Sequence, residues 1–238
     1  MEQEESQTEL DQGLLAYLEQ YITDNKKTGI ARVLSQRTRF FTVVLEDIFK
    51  PHNASAVIRT CDCFGIQDIH LIEKTDSYKV NPFVTRGASQ WVDLHKYYTA
   101  DGSPVDKCFN HLRSEGYQIW ATSPAADSLS IHDFPLVPDQ KVALVFGNEH
   151  EGISAEVKSK ADGLVHIPMR GFTESFNISV SASIFLFELM KRVSEGNFPD
   201  FHLSESEKEA LRMRWYKDIV PHADLHEQRY QRLKASTG

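Results

Sequence analysis

Short apolar runs alternate along most of this chain with segments of helical period, and no other feature narrows the fold as much. From residue 42 the runs are rich in β-branched and aromatic residues: Thr42–Leu45, Ile69–Ile72, Leu94–Tyr98, Gln118–Thr122, Val142–Phe146 and Leu164–Ile167. Runs of this length and composition suit buried strands. Between them Ala54–Phe64, Val105–Leu112, Ala155–Ala161 and Asn177–Val193 repeat apolar residues at helical spacing, with Ser154 placed to cap the third. Strands alternating with helices predict an α/β fold, a mostly parallel sheet with helices on both faces.

The flanks read differently. Leu10, Leu14, Leu18, Tyr21 and Ile22 share a helical face, and Ile30, Val33 and Leu34 continue one. Beyond Phe198, Glu205–Val220 and Leu225–Leu233 form two helical stretches separated by Pro221. The expected division is therefore a helical arm over 1–40, a central domain over 41–196 and a helical extension over 197–238. Charge is unevenly spread: residues 1–25 hold seven acids and no base, whereas 26–40 hold Lys26, Lys27, Arg32, Arg37 and Arg39 and no acid. A basic segment thus stands inside a chain of net charge −8, which by itself argues against a nucleic-acid partner. No run of about 18 apolar residues occurs, and the first residues are acidic and polar, so a cytoplasmic protein with no membrane partner is expected. Cys61, Cys63 and Cys108 are too few for a disulfide framework and fit no metal quartet, so no metal is expected.

In an α/β sheet ligands bind at the carboxyl ends of the strands, and the loops there exclude several classes. The sequence has no GxGxxG after its first strand, no GxxxxGK[ST] and no GxSxG, which disfavours dinucleotide oxidoreductases, P-loop enzymes and serine hydrolases. Three polar loops stand there instead. The first run leads into Lys50-Pro51-His52-Asn53 and a helix carrying Arg59; Val142–Phe146 ends in Gly147-Asn148-Glu149-His150-Glu151-Gly152; Ile167-Pro168-Met169 runs into the segment from Arg170 to Asn177. Glycine lets a backbone approach a ligand closely, and Asn, Ser and Glu supply donors and acceptors.

Together these loops resemble the signature of the TrmH (SpoU) family of SPOUT RNA 2′-O-methyltransferases. The resemblance rests on Asn53-Ala54-Ser55-Ala56-Val57-Ile58-Arg59-Thr60, on Phe146–Ser154 and on Ile167–Ser183, in the family's order and spacing. It covers about residues 40–195 and is closest to members that methylate the guanosine-18 ribose in the tRNA D-loop. The resemblance implies a C-terminal deep trefoil knot, a homodimer, S-adenosylmethionine as methyl donor and tRNA as substrate. It implies cofactor-binding roles for Thr122, Gly147, Ile167 and Phe176, the last standing where relatives commonly have Leu. Two alternatives stay open: an rRNA 2′-O-methyltransferase, and a non-catalytic RNA-binding relative.

The same resemblance marks Arg59, Asn53, Glu149, Ser175 and Asn177 as catalytic candidates. A guanidinium stays protonated, so the reading preferred for Arg59 is that it grips the RNA phosphate and orients the ribose hydroxyl. Asn53, Glu149, Ser175 and Asn177 are equally suited to capping helices or tying loops together. Arg86 and Arg170 are candidate phosphate contacts.

Overall fold

The computed structural model describes residues 12–48, 50–73, 87–99, 102–196, 198–199 and 201–237. Arg86 lies outside them. In chain order the elements are helix α1 over residues 12–19, α2 (Asp24–Leu34), β1 (Phe41–Glu46), α3 (Pro51–Cys63), β2 (Asp68–Glu73), β3 (Asp93–Tyr98), α4 (Pro104–Ser114), β4 (Tyr117–Thr122), β5 (Leu129–Ser130), β6 (Lys141–Phe146), α5 (Ala155–Lys160), β7 (Gly163–His166), α6 (Ile178–Glu195), α7 (Glu205–Ile219) and α8 (Ala223–Thr237). They divide into two compact units, one of residues 1–37 with 203–238 and one of residues 38–202.

The larger unit is built on a parallel sheet of seven strands in the order β3-β2-β1-β6-β4-β7-β5. Every residue of β1 is buried, as a central strand covered on both faces requires. Successive side chains divide between two cores. Val43, Leu45, Trp120, Leu144 and Phe146 pack with Val57 and Ile58 of α3 and with Phe185, Leu186 and Leu189 of α6. On the other face Val44, Ile119, Ala121, Ala143 and Val145 pack with Val105, Phe109 and Leu112 of α4 and with Val157 of α5.

The expected α/β sheet is thus present, with one strand more than the apolar runs indicated. β5 is two residues at the sheet edge, Leu129 and Ser130, and carries too short a pattern to be read. α3 begins earlier than its apolar period because Pro51 occupies the first turn, where the missing N–H costs no helical bond.

At the β2–β3 edge a polar cluster is packed into the sheet. Asp68 bonds the Nε2 of His95 at 2.7 Å and the Nε of Arg39 at 2.6 Å, while Arg39 also reaches Asp93 at 3.2 Å. His70, 2% exposed, stacks on His95 with ring centres 4.7 Å apart and bonds the Tyr97 hydroxyl at 3.0 Å. Burial, followed by the charge of His95, pushes the pKa of His70 down to about 3. The hydrogen bond to Asp68 holds that of His95 above its usual value.

In the smaller unit Leu14 and Leu18 of α1, Ile30 and Leu34 of α2, and Leu211, Trp215 and Tyr216 of α7 are buried, whereas Tyr21, expected on the first apolar face, and Leu225 and Leu233 of α8 are 44%, 57% and 49% exposed; Leu10 lies outside the described residues. Arg37 is fully buried, its guanidinium 5.4 Å from the centre of the Trp215 ring. Ser204 and Glu207 form a reciprocal capping box at the start of α7. Arg32, Arg229 and Arg232 are exposed.

Candidate functional site

The sheet order sets the carboxyl ends of β1, β6, β4 and β7 side by side, so the loops that follow them form one polar edge. Asn53, in the first turn of α3, is the hub: its amide nitrogen donates to Oε1 of Glu149 and its amide oxygen accepts from Nδ2 of Asn177 at 3.2 Å. The loops after β1, β6 and β7 are therefore joined by one run of side chains, Glu149–Asn53–Asn177. Asn177 is also the N-cap of α6, its Oδ1 accepting from the Ser179 N–H at 2.9 Å and from the Ser179 hydroxyl at 2.7 Å. The second carboxylate oxygen of Glu149 is buried without a hydrogen-bond partner among the described residues. A buried acceptor of that kind is costly unless something donates to it.

Arg59 lies farther along α3, exposed, and pairs with no described residue. It offers a free guanidinium to an anion from outside. Ser175 and Phe176 are on the loop entering α6; Ser175 is exposed and outside the Asn53 network, and the Phe176 ring is 42% exposed. Arg170 and Phe172 on the same loop are exposed as well.

The four cofactor candidates fall along this edge. Thr122 ends β4, its hydroxyl donating to the Val145 carbonyl at 3.1 Å; Gly147 follows β6; Ile167 follows β7 and packs on the core. The Gly147 loop is closed by paired backbone bonds between Asn148 and Gly152, at 3.0 and 3.1 Å. A Cβ on Gly147 would lie 2.0 Å from the backbone of Gly152, so no other residue fits there. Backbone polar groups bordered by Ile167 and a half-exposed Phe176 suit a ligand with an apolar planar part and several hydrogen-bonding groups. Among the described residues no group of His, Cys, Asp and Glu is placed to hold a metal ion.

Two features escaped the sequence reading. Glu46, 1% exposed at the end of β1, accepts from the Ser154 N–H at 2.8 Å, and a charged residue closing a strand otherwise free of charge was the available signal. The other is a groove of about 510 Å³ where α3 meets α6, lined by Ala56, Thr60, Phe64, Val180, Ile184 and Phe187 among others. Val180 and Phe187 are 44% and 60% exposed. In the sequence both look like ordinary members of the helix period.

Residues 41–187 match the SpoU rRNA methylase family. A tRNA (guanosine(18)-2′-O)-methyltransferase of Borreliella burgdorferi is 43% identical over 206 residues, covering 87% of this chain and 91% of its own. The crystal structure of the Aquifex aeolicus TrmH/SpoU tRNA modifying enzyme superposes with a TM-score of 0.71 at 29% identity, over 83% of this chain and 98% of that one. An rRNA methyltransferase from Sinorhizobium meliloti, solved with AdoMet bound, is similar at a TM-score of 0.56 and 26% identity, over 68% of this chain and 60% of that one.

Proposed function

The chain belongs to the SpoU methylase family, and on that premise we propose that it transfers a methyl group from S-adenosylmethionine to the 2′-hydroxyl of guanosine-18 in tRNA. The observation that carries this reading is the run Glu149–Asn53–Asn177, which joins three strand-end loops around one polar edge. The 43% identity to a tRNA (guanosine(18)-2′-O)-methyltransferase over nearly the whole length of both chains supports tRNA over rRNA as the substrate.

S-Adenosylmethionine supplies an electrophilic methyl group, and Thr122, Gly147, Ile167 and Phe176 are the residues that would hold it. The chain's own part is to present the nucleophile. Arg59, exposed and unpaired among the described residues, grips the phosphate beside the target ribose with a planar two-toothed donor set. A guanidinium does not take up a proton, so the hydroxyl proton passes to a phosphate oxygen or to water. Asn53, held by Glu149 and Asn177, fixes the first turn of the helix that carries Arg59, and Ser175 offers a free hydroxyl on the facing loop. Holding hydroxyl and donor in line is worth several orders of magnitude in rate.

The active form is a homodimer closed by the α3–α6 groove. Val180 and Phe187, the exposed apolar side chains of α6, form the kind of apolar patch that a self-complementary contact covers. The chain is threaded into a trefoil knot in its C-terminal half. Support comes from the strand order: the connections from β5 to β6 and from β6 to β7 pass β4 in opposite directions. Exposed Arg32, Arg229 and Arg232 of the flanking helices supply backbone contacts to tRNA.

The test is incubation of the protein with tritiated S-adenosylmethionine and unmodified tRNA transcripts, followed by nuclease digestion. Label in 2′-O-methylguanosine from the D-loop is expected. Label in rRNA fragments alone would move the substrate to the ribosome, and no label in either would leave an RNA-binding relative without activity.

A further inference from the structure

Glu46 takes no part in the network just described, yet it is the acid placed between its two halves. It closes β1, which runs in register with β6 so that Leu45 pairs with Phe146. The chain then diverges into two loops, one leading to Asn53 and the other to Glu149. From the base of this fork the Glu46 carboxylate, 1% exposed, accepts the Ser154 N–H at 2.8 Å. Ser154 in turn caps α5, its hydroxyl accepting from Val157 N–H at 3.2 Å. The loop Gly147–Ile153 is thereby pinned at its far end to the strand that feeds α3.

The route out of β1 is fixed as tightly. Asp47 has a φ of 52°, a left-handed conformation uncommon outside glycine though less so for Asp, and its N–H bonds the Ile72 carbonyl at 2.8 Å, which anchors the turn to β2. A carboxylate buried this deeply is tolerated only where donors are aimed at it, and the Ser154 N–H is one of them. Glu46 thus ties strand to loop by a directed bond that an apolar side chain could not make.

We propose that Glu46 is a positioning residue that, through Ser154, holds the Gly147–Ile153 loop at the height where Gly147 meets S-adenosylmethionine and Glu149 meets Asn53. The inference rests on the cofactor reading given above. Its consequence is specific: loosening this tie weakens cofactor binding and turnover, while capture of tRNA by the exposed arginines proposed above is unaffected.

The experiment compares wild type with Glu46→Gln and Glu46→Leu. Glu46→Gln keeps the size and one acceptor but loses the charge, and a hydrogen bond to an ionised group is about twice as strong as one to a neutral group. Glu46→Leu keeps the bulk and loses the acceptor. Affinity for S-adenosylmethionine is measured by calorimetry, tRNA affinity by filter binding and turnover with saturating tRNA. Glu46→Gln should weaken cofactor binding by about threefold and Glu46→Leu by about thirtyfold, as expected for loss of a charge-assisted bond. In both variants tRNA affinity should stay within about twofold and kcat should fall in the same order.

Cofactor affinity equal to wild type in Glu46→Gln and Glu46→Leu would overturn the proposal. So would a Glu46→Leu protein that loses cofactor and tRNA affinity alike, since that marks general disruption. Should Glu46→Leu not fold, an unchanged cofactor affinity in Glu46→Gln alone overturns it. A wild-type protein that does not bind S-adenosylmethionine would instead sink the functional reading on which the proposal stands.

Discussion

Arg59 carries the reaction in the proposed reading because of what does not touch it. An arginine on a helix surface ordinarily finds a carboxylate three or four residues away. Arg59 has no such partner among the described residues, although Asp62 stands three positions on in the same helix. Its guanidinium is therefore available, and the planar fork matches phosphate oxygens in a way that a lysine ammonium does not. In Arg59→Lys the charge remains but the fork is gone, so tRNA affinity should fall by no more than a few-fold while kcat drops by about a hundredfold, the usual cost of a misplaced reactive group. Steady-state turnover measured beside filter binding checks both halves. Unchanged turnover would remove Arg59 from the mechanism, and a parallel loss of binding would make it an affinity residue only.

At the scale of elements, the site is made where secondary structures begin and end, and Asn177 does two jobs there. As the N-cap of α6 it satisfies the Ser179 N–H; as a member of the polar run it holds Asn53. Two substitutions separate the roles. Serine is a good N-cap but too short to reach Asn53, so Asn177→Ser should keep thermal stability and lose turnover. Asn177→Ala removes the cap as well, at about 1 kcal/mol, and should lower Tm by a further few degrees. Calorimetric melting beside turnover reads both, and full activity in Asn177→Ser would reduce the residue to a helix cap.

The element scale is also where sequence and structure part. The central strands were legible because a strand buried on both faces is apolar or β-branched nearly throughout, as Val142–Phe146 is throughout and Thr42–Leu45 is but for the Thr42 hydroxyl, which bonds the Asp68 carbonyl. The three loop motifs were legible through their order and spacing along the chain, since small polar residues at strand ends serve equally well as helix caps and loop ties. β5 was not, since two residues cannot express a period. Nor could spacing reveal that Asn53, Glu149 and Asn177 touch, because they are separated by 96 and 124 positions and only the sheet order β1-β6-β4-β7 brings their loops together. Ser175 shows the converse: it lies in the matching motif, yet the fold leaves it outside the hydrogen-bonded run.

Two properties belong to the molecule as a whole, the first being its assembly. A groove of about 510 Å³ rimmed by Val180 and Phe187 leaves apolar surface in water unless a second copy covers it. Phe187→Glu places a charge in the proposed contact without altering the cores, because the ring is 60% exposed in the single chain. Sedimentation should show wild type as a dimer and Phe187→Glu as a monomer with its secondary structure intact. A wild-type monomer at micromolar concentration would contradict the assembly.

The second property is the response of stability to pH, which follows from the cluster at the β2–β3 edge. His70 is held neutral by burial and by the neighbouring charge of His95, with its pKa down to about 3. Below the ordinary histidine range, near 6.5, the unfolded chain therefore binds a proton at this position that the folded chain refuses until about pH 3. The His70 contribution to stability falls with pH through that window, by at most about 1.4 kcal/mol per unit for one proton. Among the groups facing His70, His111, 5.8 Å away ring to ring, also pushes its pKa down, and neither His95 nor Asp68 cancels the effect. His95, whose pKa is raised by its bond to Asp68, is protonated in both states below 6.5; its contribution is fully present there and is lost only as pH rises above its raised value. Burial raises the pKa of Asp68, but the His95 bond and the Arg39 charge outweigh this and hold it below its usual value. Its contribution consequently persists through most of the window and fades only in stronger acid. Urea unfolding of wild type and His70→Gln at pH 7, 6, 5 and 4 isolates the one residue. The two stabilities should converge as pH falls, the variant losing less at each step; parallel curves would mean that His70 takes up its proton as readily in the folded protein as in the unfolded chain.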